Sequence, residues 1–88
     1  PEEGLRLLRR AAEARPDDAQ SQHWYANVLG TRGQYAKAIR HYARARALNP
    51  GAAAILADEA YYVYAAGDRV RGLRMLDQVL ALHPTLAS

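Results

Sequence analysis

Cysteine is absent from the 88 residues. No disulfide can staple the fold, no thiolate can hold zinc or attack a substrate, and the redox compartment is left open. Long apolar runs are also missing. None approaches the ~18 residues of a membrane-spanning helix, so no membrane contact is expected, and a soluble protein of cytoplasm or periplasm fits equally well. Long β-branched runs are scarce, which argues against sheet. Charge of one sign is not in great excess: the net charge is +3, too mild to demand a nucleic-acid partner. Sequence signatures of catalysis are lacking as well, with no H-x-x-x-H, glycine-rich phosphate loop or nucleophile elbow. His23, His41 and His83 sit in separate segments without ligand spacing. No metal, no cofactor and no His–carboxylate dyad across helices is therefore expected, and the chain is not expected to be an enzyme. It opens on Pro1 and not on methionine, which suggests a piece of a longer protein. At this length it forms one domain at most and buries roughly 60% of the surface its unfolded form exposes.

What is present is helix-forming and periodic. Hydrophobic residues make up 50% of the chain, and much of that is alanine, the best helix former. Pro16, Pro50 and Pro84 stand 34 residues apart, as do Gly33 and Gly67. Each interval resolves into two helices. Asp17 or Asp18 is placed to cap a helix that runs to about Thr31. Gly30-Thr31-Arg32-Gly33 is expected to break it, because glycine suits the left-handed turn at a helix end. A second helix spans about Tyr35 to Leu48 and stops at Asn49-Pro50, since a residue before proline avoids the α region. The next interval copies this with helices over about 53–66 and 69–82, the last capped by Asp68. The opening stretch, Glu2 to Ala14, aligns with the second helix of a unit: Gly4, Leu8 and Pro16 match Gly72, Leu76 and Pro84 at twice the period. The expected organisation is a half unit over 1–16, full units over 17–50 and 51–84, and a tail over 85–88.

These residues resemble the tetratricopeptide repeat, whose pattern is W-x2-L-G-x2-Y, then A-x3-F, then P over 34 residues. The first copy here reads Gln22-x2-Tyr25-Ala26-x2-Leu29, Ala38-x3-Tyr42, Pro50; the second reads Leu56-x2-Glu59-Ala60-x2-Val63, Gly72-x3-Leu76, Pro84. Ala26, Ala38, Ala45, Ala60 and Gly72 fall where the family needs close helix contact. More loosely, His23-Trp24-Tyr25 and Ile55-Leu56-Ala57-Asp58 resemble the repeats of some bacterial winged-helix transcription regulators. The resemblance implies an all-α, right-handed helix-turn-helix solenoid of about five helices. It also implies a protein-interaction module, with first helices lining a concave groove and second helices forming the convex back. On that register the partner-binding groove comprises Gln20, His23, Asn27 and Thr31, then Ala54, Ala57, Tyr61 and Tyr64, with Asp58 near its edge. A subset of the family clamps C-terminal carboxylates. Asn27 stands at one clamp position, but His23 replaces a lysine and Asp58 replaces an asparagine, so a carboxylate would be repelled.

Several side chains stand out individually. Glu59 occupies a slot the family fills with leucine and is expected at the rim, paired locally. Trp24 is expected to pack on the preceding helix. Lys37, Arg40, Arg44, Arg46, Arg69, Arg71 and Arg74 form a stripe on the second helices, expected to be a solvated back that makes nucleic acid an improbable partner. Leu5, Leu7 and Leu8 at one end, and Val79, Leu80 and Leu82 at the other, are expected to leave apolar edges. Pairing of those edges between copies would make the chain a self-associating regulatory or sensor segment of a larger bacterial signalling or transcription protein, the alternative to a groove that binds a protein or peptide.

Overall fold

The computed structural model describes residues 2–87, the last two by backbone alone; Pro1 and Ser88 lie outside the described residues. Five α-helices follow one another: α1 (Glu2–Ala14), α2 (Ala19–Thr31), α3 (Tyr35–Leu48), α4 (Ala53–Ala65) and α5 (Arg69–Leu82). A 3-10 turn over Pro84–Ala87 takes the place of the expected tail, whose last residue, Ser88, is among those not described. Each helix packs on the next in the chain. This is the arrangement expected of helix pairs that cannot bury their apolar faces alone.

The turns are set by glycine and by caps. Gly33 and Gly67 adopt φ of 81° and 111°, the left-handed region that costs glycine little. Asp68 caps α5 by accepting from the Arg71 N–H. Asp18 opens α2 differently, accepting the Ser21 hydroxyl at 2.6 Å, a contact that holds its carboxyl below the ordinary range.

One expectation needs correcting. Gly30 does not break α2 but lies buried inside it. The aromatic ring of Tyr62, from α4, rests where a side chain would stand: a Cβ on Gly30 would lie 2.5 Å from Tyr62 Cζ. The same ring stacks on Tyr42 at 5.7 Å between centroids, tilts against Tyr35 at 5.9 Å and meets Tyr61 edge-on at 4.9 Å. The core beneath it consists of Ala12, Tyr25, Ala26, Leu29, Ala38 and Tyr42, with Leu5 and Leu8 packed alongside. Ala26, Ala38, Ala45, Ala60 and Gly72 are all buried, as their register requires.

Within the second helix pair the close approach is between Gly72 and the backbone of Tyr64. A Cβ at Gly72 would come within 2.8 Å of the Tyr64 nitrogen and 2.9 Å of its Cα. Backbone cannot rotate aside, so Gly72→Ala should lose about 1–3 kcal/mol to overpacking, against a propensity gain of up to ~1 kcal/mol. Gly4→Ala, where nothing lies within 4 Å, should show the gain alone. Urea unfolding of the two variants measures the contrast; a Gly72→Ala protein as stable as Gly4→Ala would mean that α4 and α5 part freely.

Candidate functional site

Curvature follows from which helices touch. Beyond successive neighbours, the backbone of α2 also approaches that of α4, whereas among the described residues the backbones of α1 and α3, and of α3 and α5, stay apart. The first helices of each pair therefore converge, and the α2–α4 side is the inner one. His23 of α2 and Asp58 of α4 meet there, Nε2 to Oδ2, at 2.8 Å. The dyad that the histidine spacing gave no reason to expect thus exists, and it bridges the two inner helices. Asn27 accepts a hydrogen bond from the Tyr42 hydroxyl, and burial raises the pKa of that phenol well above its ordinary value.

The other residues assigned to the inner face are placed as follows. Gln20 is exposed. Thr31 is exposed and returns its hydroxyl to the Val28 carbonyl of its own helix. Ala54 is exposed and Ala57 half-buried. Tyr61 and Tyr64 are exposed and line an apolar depression shared with α5. Arg69 stands over the Tyr64 ring at 6.0 Å. Asn27, His23 and Asp58, the residues that invited comparison with a carboxylate clamp, are thus engaged with Tyr42 and with each other.

Trp24 is the second correction. It is 50% exposed and outside the core, while its neighbour Tyr25 is buried. Its counterpart one period later is Asp58, which reaches across to the adjacent inner helix. At half exposure Trp24 is a surface side chain and not the core residue expected of it.

Glu59 is the third. It is fully buried and not at the rim, although its partner is local as expected. Arg46 Nη2 donates to Oε2 at 3.2 Å. Arg46 Nε stands 2.8 Å from Oε1, but its N–H is not aimed along that line, so Oε1 has ionic contact without an aligned hydrogen bond. The equivalent slot in the first pair, Tyr25, meets His41 edge-on at 4.7 Å. Gln22, also fully buried, donates from Nε2 to the carbonyls of Ala12 and Pro16. Its Oε1 is then free to accept from His41 Nδ1 at 2.7 Å, which fixes the histidine as the Nδ1–H tautomer. Burial lowers the His41 pKa, and Arg44, Arg40 and Lys37 lower it further, so this ring is neutral at pH 7. The seven cations of the outer stripe are all exposed. No group of three or more potential metal ligands occurs among the described residues, and no described helix is long and apolar enough to cross a membrane.

The Glu59–Arg46 geometry predicts an asymmetry. Arg46 is 45% exposed, so without its carboxylate it can turn to water, and Glu59→Leu should fall within ~1 kcal/mol of the parent or above it. Arg46→Ala strands a buried carboxylate and should cost about 3 kcal/mol. Thermal and urea unfolding check both; equal losses for the two variants would contradict it.

Comparison with known proteins agrees with the geometry. A profile of the tetratricopeptide repeat matches residues 19–61. No curated protein matches the chain. Among solved structures, that of YrrB, described as a TPR protein with an unusual peptide-binding site, superposes with a TM-score of 0.89 at 24% identity. The match covers 96% of this chain and 43% of that one, so the chain spans less than half the length of YrrB. Residues 19–61 belong to the tetratricopeptide repeat family, and the fold of that family extends over the helices on either side.

Proposed function

We propose that the chain is a protein-interaction module that holds a segment of a partner protein along the inner α2–α4 face. Tetratricopeptide repeats generally serve as protein–protein interaction modules, and YrrB is described as having a peptide-binding site. The observation that carries the reading is the convergence of α2 and α4 about the His23–Asp58 bridge. It leaves Gln20, Trp24, Thr31, Ala54 and Tyr61 accessible on neighbouring helices that the bridge holds in fixed relation. An extended or helical segment laid across two such helices meets side chains at three- and four-residue spacing from each. Tryptophan and tyrosine suit this role, since each offers apolar area and a polar tip at small entropic cost. An acidic C-terminal tail is disfavoured: Asp58 contributes negative charge and Asn27 is occupied by Tyr42.

Position-specific photo-crosslinking tests the assignment. A crosslinker placed at Gln20 or Ala54 should trap a partner segment, and the same group at Arg44 or Arg74 on the outer helices should not. Equal capture from both sides, or capture from the outer helices alone, would remove the inner face as the recognition surface.

A further inference from the structure

Apolar exposure is spread along the chain: Leu7, Leu48, Val70, Leu73 and Leu82 are all exposed, while Val79 is buried and Leu80 half-buried, against the expectation of an open edge at both. Charge, in contrast, is segregated. All 12 lysines and arginines stand on the outer helices α1, α3 and α5 or in the turns, and none on α2 or α4. The inner helices hold two carboxylates, Asp58 and Glu59, both on α4. Glu59 is fully buried against Arg46. Asp58 is therefore the only formally charged side chain, histidine apart, that α2 and α4 present to a partner, and it is 42% exposed.

That carboxylate is held in place and half used. Its Oδ2 meets His23 Nε2 at 2.8 Å. An ionised carboxylate offers only acceptors, so the ring nitrogen carries the hydrogen there. No hydrogen bond or ion pair reaches Oδ1 among the described residues. A carboxylate already held in one orientation loses little freedom on meeting a ligand. Tyr61 stands one helical turn further on, on the same face of α4. Its ring is exposed and lies edge-on to Tyr62 at 4.9 Å, which is itself seated over Gly30. A cation between an exposed tyrosine ring and a carboxylate gains from both, through the ring quadrupole and through charge. Ala54, one turn before Asp58, and Ala57 beside it carry only methyl groups and leave the carboxylate open.

The free acceptor is a single oxygen, which decides between the two cations a partner can offer. An arginine fork draws its strength from two parallel hydrogen bonds to one carboxylate, whereas a lysine ammonium is a point charge that needs one acceptor. Further charges on the same segment find no counterpart. There is no second accessible carboxylate on α2 or α4 for another cation, and no lysine or arginine for an acid.

We propose that the inner face selects its partner segment by a single lysine, whose ammonium pairs with Asp58 Oδ1 beside the Tyr61 ring, in a stretch that is otherwise uncharged. This rests on the inner-face reading above and names what that face recognises.

A phage-displayed library of random peptides about twelve residues long, enough for an extended segment to cross both inner helices, supplies the probes. Peptides selected on the intact chain and trapped by a crosslinker at Gln20 or Ala54 are inner-face ligands. They should be enriched in lysine over the starting library, and exchange of that lysine for norleucine should weaken binding by about fivefold or more. Exchange for arginine should weaken it less. Asp58→Asn keeps an acceptor for His23 and should erase the difference between the lysine and norleucine peptides; Tyr61→Leu, an exposed change, should reduce it. Both variants should match the parent in helicity by circular dichroism. Inner-face ligands without lysine enrichment, or a lysine preference that survives Asp58→Asn and Tyr61→Leu unchanged, would overturn the proposal and leave the inner face as the recognition surface. Ligands trapped only from Arg44 or Arg74, or none trapped from Gln20 or Ala54, would overturn both.

Discussion

The ring of Tyr62 in the seat above Gly30 is the contact on which the stack depends. Without a side chain at Gly30 the ring can lie directly on α2, and in that position it stacks on Tyr42 and reaches Tyr35 on α3. One side chain of α4 thereby engages both helices of the preceding pair. The consequences reach the inner face. Tyr42, held beneath that ring, donates its hydroxyl to Asn27, and the placement of α4 brings Asp58 to His23. The surface proposed to bind a partner is therefore positioned by the core through two hydrogen bonds.

Around that seat, successive pairs fill the same register with different chemistry. Where the first has Tyr25 over Ala12, the second has Glu59 against Arg46. The first also buries Gln22, which satisfies two carbonyls at the α1–α2 turn and receives His41. Polar groups this deep are tolerable only when each finds a partner, and here the partners come from helices adjacent in sequence. The result is a short solenoid whose interior is more polar than the consensus pattern implies, with specificity of pairing built into each interface.

Proline and glycine spacing made the helices legible almost to the residue. These residues act locally: proline ends a helix by its own ring, and Gly33 and Gly67 turn the chain by their own φ. Small residues at Ala26, Ala38 and Ala60 were legible for the same reason, since close approach needs them at one phase. The misreadings concern residues whose surroundings are set by another helix: Tyr62 for Gly30 and Arg46 for Glu59. Gly30 looked like a breaker because its partner, Tyr62, is remote in sequence. Glu59 looked like a rim charge because the covering Arg46 side chain belongs to the preceding pair. Trp24 looked like core because tryptophan usually is, yet its register equals that of Asp58, a position whose side chain also stays 42% exposed. Aligning the two units position by position, and not only by consensus, carries the signal for Trp24.

Amide hydrogen exchange of Tyr62→Ala tests the central role of that seat most directly. If the ring joins the two helix pairs, the variant should lose protection throughout α4 and α5 while α2 and α3 keep most of theirs. Unchanged protection in α4, or an equal loss across all the helices, would contradict it.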